Sequence, residues 1–540
     1  MSAETLLHRV LSPGARALAP HLARRRVAAV DGLDPAATQR ELLRGLLRRA
    51  RTTRFAADHG LGALARMPAA RLIEAFQARV PLRDYEAFWE AYWRDSYPEH
   101  TNLTWPGQIP FFALTSGTTS GRSKAIPVSW EMVAANRRAA LDVVCWHLLR
   151  HPDSTLFAGR TLMLGGSTSL PVASGAPARA GAPRAGDLSA IAAATASPWA
   201  RPLLAPERSI ALMEDWPTKL EALASTCRSQ RITGLTGTTS WLLGLLDRVF
   251  DGPDAALPDL RLVVHGGVAW APYASRFAHY FSERDVDLRE VYPASEGFIA
   301  MADGDTGAAL AGQSPPLRLC LDRGVFFEFA PIDETGHPST PTRWVGNVEP
   351  DQDYALVIST CAGLWRYVLG DIVRLTDTQP PRLRITGRVA QMLSAFGEHV
   401  LARELDEAIG GGLAALGLGL ADYCAGARLP AHAGSVGGHV FLVEPDRDIE
   451  PNERTRVAQR LAEHIDGALR AGNDDYAAHR AGDAGMAPPT VKLVPRHGFQ
   501  AWLAQQGRLG GQHKVPRVVN DMVRFRQIER AVTQADTPGR

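Results

Sequence analysis

A chain of 540 residues can bury one large core and a satellite, so two or three domains are expected. Its 59 basic and 57 acidic side chains nearly cancel, and a net charge of +2 argues against a polyanionic partner such as nucleic acid. The five cysteines, Cys145, Cys227, Cys320, Cys361 and Cys424, form no C-x-x-C pair, and no stretch of about 18 apolar residues could span a bilayer. Residues 1–20 lack the apolar centre of a signal peptide, so a soluble protein of the reducing cytoplasm, without a membrane partner, is the expectation.

Residues 1 to about 100 read as helices. Across residues 39–50 the leucines recur at helical spacing with arginines opposite, the pattern of a solvated amphipathic helix. Phe55-Ala56-Ala57-Asp58-His59-Gly60 ends that region, and Val80-Pro81-Leu82-Arg83-Asp84-Tyr85 starts another helix after a proline break.

The stretch FFALTSGTTSGRSKAIPVS, residues 111–129, is the centre around which the chain is organised. Phe111-Phe112-Ala113-Leu114 reads as a buried strand end, and the TSGTTSG beyond it holds too many small hydroxyl and glycine residues to continue a strand. Gly117 and Gly121 permit close approach and unusual dihedrals, while Thr115, Ser116, Thr118, Thr119 and Ser120 crowd hydroxyl donors into one loop. Lys124 adds a point charge, so the loop suits phosphate oxygens. A plain Ser/Thr/Gly surface turn is the alternative, and the spacing is not that of the Walker loop.

A helix over residues 130–150 and a short strand at Thr161-Leu162-Met163-Leu164 come next. Residues 171–206, rich in Ala, Pro, Gly and Ser and poor in periodicity, read as a flexible lid or a linker. From residue 220 to 287 strands and helices alternate, which predicts an α/β fold with a mostly parallel sheet and ligands at the carboxyl ends of strands. Gly266 and Gly267 follow the strand ending at His265; there they either line a ligand or make a tight strand-helix turn.

In Tyr292-Pro293-Ala294-Ser295-Glu296-Gly297 the tyrosine is placed to stack on a base and Ser295 to donate to phosphate. Glu296 suits Mg²⁺, a hard cation that takes one or two carboxylates plus substrate phosphates. Asp371, after Gly370 in WRYVLGDIV, suits two ribose hydroxyls; Gly-Asp is equally a hairpin-turn dipeptide. The last 150 residues alternate strand and helix patterns, with a helix over residues 452–470, and close on the phrase GGQHKVPR, residues 510–517.

Taken together, these motifs resemble the ANL adenylating superfamily, and within it the acyl acid amido synthetases, the Gretchen Hagen family known for auxin and jasmonate conjugation. TSGTTSGRSK is similar to [ST]-[SG]-G-T-T-x-G-x-x-K, YPASEG to Y-x-x-S-E-G, WRYVLGD to Y-R-x-G-D with the tyrosine displaced, and GQHKVPR to G-Q-Y-K-x-P-R. The resemblance implies a large N-terminal α/β domain with mixed or parallel sheets, residues 1–388, and a small mobile α+β domain, residues 389–540, hinged near Gln391. It implies ATP and Mg²⁺ as cofactors, a small carboxylic acid and an amine or amino acid as substrates, and a monomer. Lys514 would meet the charge developing at carboxylate and α-phosphate, with Glu296 holding the metal. Nucleotide contacts would come from Thr115, Ser116, Gly117, Thr118, Thr119, Gly121, Lys124, Gly266, Gly267, Tyr292, Ser295, Asp371 and Arg388. His399 departs from the family lysine and takes no catalytic role. An acyl-CoA ligase and a non-catalytic nucleotide binder are the alternatives.

Overall fold

A computed structural model describes residues 18–115, 124–165, 170–173, 181–198, 200–213, 215–250, 257–267, 270, 273–304, 315–332, 338–388, 393, 400–428, 437–473, 476–477, 480, 486–506 and 515–533. The helix Pro35–Ala50 begins four residues before the expected stretch 39–50: Asp34 accepts a hydrogen bond from the Ala37 amide at 2.6 Å, and proline occupies the first turn. Leu43, Leu46 and Leu47 face the core. Gln39, fully buried among them, donates to the carbonyls of Leu321 and Val325 at 2.7 and 2.9 Å and accepts from the Phe327 amide at 2.8 Å.

Two strands, β1 (Phe111–Thr115) and β2 (Lys124–Val128), form an antiparallel pair in which Thr115 faces Lys124. Pro127 is tolerated because β2 is an edge strand. The helix Trp130–Arg150 comes after it, and Ser129 caps that helix by accepting from the Met132 amide at 3.0 Å while donating to the Cys361 carbonyl at 2.6 Å. After β3 (Arg160–Leu164) the Ala/Pro/Gly-rich segment departs from the expected lid or linker. Among its described residues it supplies β4 (Arg184–Gly186), parallel to β1, then the helix Leu188–Ala194 and β5 (Leu204–Ala205). Its small Ala185 and Ala190 side chains are buried, as is Ile191.

The sheet that carries the site runs through β6 (Ile232–Thr238), β7 (Leu262–Gly266), β8 (Asp287–Ala294), β9 (Gly297–Met301), β10 (Leu317–Leu319), β11 (Val325–Pro331), β12 (Arg343–Trp344), β13 (Asp353–Thr360), β14 (Tyr367–Thr378) and β15 (Pro381–Arg388). Its order is β12-β11-β13-β14-β15-β10-β9-β8-β7-β6-β3-β5. Strands β5, β3, β6, β7 and β8 are parallel to their neighbours, and from the β8–β9 pair onward the sheet is antiparallel. The parallel strands expected over residues 220–287 are present, as one part of a mixed sheet. Helices Trp216–Ser229, Thr239–Val249 and Ala274–Phe281 cover one face over Leu235, Val263 and Leu288, and the helix Trp130–Arg150 covers the other against Val264 and Val291. Burial on both faces is why β7 reads Leu-Val-Val instead of alternating.

Beyond Leu393, β16 (Leu420–Arg428), β17 (Gly438–Pro445), β18 (Ala487–Leu493) and β19 (Val518–Val519) make a four-stranded sheet in the order β18-β17-β16-β19. Helices Ala402–Ala415 and Arg454–Gly472 pack on it, the latter starting two residues after the sequence expectation. Its two apolar clusters draw only on residues 393–532.

Gly363 is among the glycines that close contact requires. Gly363 has φ of +90°, and a Cβ there would lie 2.6 Å from Thr104 Oγ1 and 2.7 Å from that residue's backbone carbon. Gly363→Ala is expected to cost about 1–3 kcal/mol; thermal unfolding at the wild-type temperature would contradict this contact.

Candidate active site

Where the sheet changes from parallel to antiparallel, the carboxyl end of β8 opens on a cleft of about 4660 Å³, lined by both the large sheet and the residues beyond 393. The carboxyl ends of parallel strands are where open α/β sheets place ligands. Tyr292 is on β8, and Ser295 and Glu296 lie in the turn to β9; all three line the cleft.

Two hydroxyl-carboxylate pairs join β8 and the turn after it to β14. The Tyr292 hydroxyl donates to Asp371 Oδ2, and the Tyr367 hydroxyl donates to Glu296 Oε1 at 3.3 Å. Burial, then the neighbouring Glu296 charge, raises the Tyr367 phenol well above its ordinary range, so it stays a donor. Asp371 is not in a hairpin turn: it lies inside the long strand β14, directly across from the backbone of Arg388 on β15. The side chain of Arg388 is outside the described residues.

On the other wall, Lys124 and Thr115 face each other at the open end of the β1–β2 pair. The Lys124 ammonium lies 5.6 Å from the centre of the Tyr85 ring, within cation–π reach, and the Tyr85 hydroxyl accepts from the Ala125 amide at 2.9 Å. Burial pushes the Tyr85 phenol up to about 12. Ser116, Gly117, Thr118, Thr119, Ser120 and Gly121 lie outside the described residues, as do Gln391, His399 and Lys514.

Gly266 and Gly267 line the cleft and also answer to packing. A Cβ on Gly266 would fall 2.2 Å from the Val291 carbonyl oxygen, and Gly267 has φ of +80°. Beside them His265 is wholly buried with its ring 4.2 Å from Trp270, and burial pushes it down to about 3, so it is neutral.

Glu290, Arg517 and Tyr273 are cleft residues with no role assigned from the sequence. Glu290, one strand step before Tyr292, lines the cleft, and burial pushes its carboxyl up to about 7. Arg517 carries its guanidinium 4.5 Å from the centre of the Tyr423 ring, bonds Asp422 and lies 3.9 Å from Asp406, which anchors the chain just beyond Lys514. Tyr273, the residue before the helix Ala274–Phe281, lines the same cleft close enough to feel the charge of that guanidinium. Only the proline and arginine after the lysine hinted at this anchor in the sequence.

Comparison with known proteins agrees with the motif order. Residues 32–184 match the GH3 family N-terminal domain, residues 318–388 the GH3 family central domain and residues 403–523 the GH3 family C-terminal domain. The chain belongs to the GH3 family. Indole-3-acetic acid-amido synthetase GH3.8 of Oryza sativa subsp. indica is 29% identical over 214 residues, 36% of this chain and 33% of that relative. The match thus takes in only 33% of that curated relative. Among solved structures, AtGH3.15 acyl acid amido synthetase in complex with 2,4-DB superposes with a TM-score of 0.74 at 18% identity, covering 95% of this chain and 97% of its own. The 2-hydroxyisobutyryl-CoA ligase in its postadenylation state does so at 0.53 and 15%, covering 92% of each. The GH3 chain therefore has the fold of adenylate-forming enzymes with a C-terminal domain. No helix among its described residues is long and apolar enough to cross a membrane.

Proposed function

We propose that this GH3 protein is an ATP-dependent acyl acid amido synthetase. A substrate carboxylate oxygen attacks the α-phosphorus of ATP and pyrophosphate leaves; an amine, an amino acid by family analogy, then attacks the acyl carbonyl and AMP leaves. The observation that carries this reading is the joining of Tyr292 to Asp371 and of Glu296 to Tyr367 at one strand end, across a cleft from Lys124.

No protein nucleophile is required, so the residues act by positioning and by neutralising charge. Asp371 takes the ribose hydroxyls, and the Tyr292 ring lies beside the base next to Gly266 and Gly267. Thr115, Lys124 and the loop of Ser116, Gly117, Thr118, Thr119 and Gly121 hold phosphate oxygens, with Ser295 opposite and Arg388 at the hinge. Glu296 fits Mg²⁺, since a carboxylate at the cleft edge whose Oε1 is oriented by a phenol is a hard oxygen donor. Bound there, the ion would neutralise phosphate charge. Lys514 stabilises the carboxylate and α-phosphate. We read residues 1–388 and 389–540 as the two domains of a monomeric cytoplasmic enzyme, the second rotating between half-reactions to exclude water.

ATP–pyrophosphate exchange across a panel of aliphatic, aromatic and hydroxy acids tests the first step, and mass spectrometry of products with amino acids and coenzyme A tests the second. Acid-dependent exchange and an amide product are expected. A thioester would convert the reading to an acyl-CoA ligase, and exchange with no acid despite ATP binding would leave a nucleotide binder. Glu296→Gln should lower the exchange rate by about 100-fold without moving the unfolding temperature; a wild-type rate would remove Glu296 from the metal role.

A further inference from the structure

The opposite end of β8 gathers a second cluster, and none of its residues lines the cleft. His147 and His151 stand four residues apart at the carboxyl end of the helix Trp130–Arg150, so both rings fall on one face. Their centres are 5.1 Å apart and the planes 23° from parallel. Asp287, the first residue of β8, meets them there: its Oδ2 lies 2.8 Å from His147 Nδ1 and 4.0 Å from His151 Nε2. Among the described residues, this is the one group of three such side chains whose donor atoms all lie within 4.8 Å of one another. Asp285, 80% exposed at the rim, stands 3.7 Å from His151 Nδ1.

The surroundings are those of a ligating imidazole. His147 Nε2 is 2.7 Å from Ser154 Oγ, the outer hydrogen bond that fixes the ring and its tautomer when the other nitrogen holds a metal. Arg289 Nε, 2.7 Å from Asp287 Oδ2, works against a cation by adding positive charge and occupying one lone pair of that oxygen. Two imidazoles and a carboxylate suit zinc and its first-row neighbours, whereas Mg²⁺ takes oxygen ligands in near-ideal octahedra.

We infer that His147, His151 and Asp287, with Asp285 at the rim, form a binding site for a transition-metal dication of the zinc class, separate from the cleft. The metal displaces the proton shared by His147 and Asp287, which leaves to solvent. Arg289, by adding positive charge beside Asp287, lowers the affinity below that of a structural zinc site. The ion ties the end of the helix capped by Ser129 to the strand that carries Tyr292, so its binding stiffens the scaffold under the candidate active site.

The full chain, with any affinity tag removed, is dialysed against zinc chloride and bound metal is counted, with Co²⁺ absorption as a report on ligand geometry. One zinc per chain is expected, with a rise in unfolding temperature that grows with zinc concentration. His151→Ala, at a ring 33% exposed whose loss leaves the core intact, should weaken binding by more than tenfold and abolish the rise. Ser154→Ala should weaken it by about 10-fold. No retained zinc in the wild type, or equal zinc in the wild type and in His151→Ala, overturns the site.

Discussion

Replacing Lys514 by alanine should slow acyl-adenylate formation by about 10²–10³-fold while leaving ATP affinity nearly unchanged. The proposed reaction has no covalent enzyme intermediate, so its barrier is lowered by charges that meet the negative charge as it moves from carboxylate to phosphate. A lysine is a compact point charge suited to that task. The fold should survive, because the neighbouring anchor is elsewhere: Arg517 is held by Asp422 and stacked on Tyr423. Pyrophosphate exchange measures the affected step, and aminolysis of a presynthesised acyl-adenylate measures the other. We expect the first to collapse and the second to stay within a fewfold of wild type. Exchange at the unmodified rate removes Lys514 from the mechanism, and equal loss in both steps points to a misfolded small domain.

Much of this site was legible because its chemistry is local in sequence. Thr115 and Lys124 flank one loop, and Tyr292, Ser295 and Glu296 lie within five residues, so a short motif carries both residue types and spacing. The pairing of Tyr292 with Asp371 was not legible, since a hydrogen bond across 79 residues depends on how β8 and β14 approach in the sheet. Gly370-Asp371 also reads as a turn by composition, yet it continues a 12-residue strand. The error over residues 171–206 has a related cause. Alanine and glycine carry no periodic signal, yet Ala185 and Ala190 are buried and Ala185 pairs with Phe112 of β1. Glu290 gave no signal at all, because a single carboxylate in a strand acquires its character only from what buries it.

Arg366 shows the opposite case, a motif residue whose place in the structure is the core. In WRYVLGD it stands beside residues assigned to the nucleotide, but its side chain is 2% exposed and turns away to Glu328, which is fully buried. Its Nε lies 3.1 Å from Glu328 Oε1, and it also donates at 2.7 Å to each of the Gln77 carbonyl, the Val80 carbonyl and the Thr342 hydroxyl. Gln77 and Thr342 complete the ring by donating to Glu328 at 3.0 and 2.7 Å. The guanidinium thus locks the helix Ala69–Arg79 to β11 just before β14 begins. Arg366→Met should therefore cost about 3–5 kcal/mol, because it strands a carboxylate in the core. Arg366→Met with Glu328→Met should cost far less than the sum of the single losses, since no charge is then left unpaired. Burial already raises the Glu328 carboxyl above its ordinary value even beside Arg366. A raised acid destabilises the folded state increasingly as pH climbs past the unfolded carboxylate value, and acidification relieves it. Without the guanidinium this penalty grows, so the gap between Arg366→Met and wild type should narrow as pH falls towards about 5. Denaturant unfolding of the four proteins at two pH values measures all of this. A single-variant loss below about 1 kcal/mol, or a gap that widens on acidification, would show that Arg366 and Glu328 do not form the buried ionic pair described here.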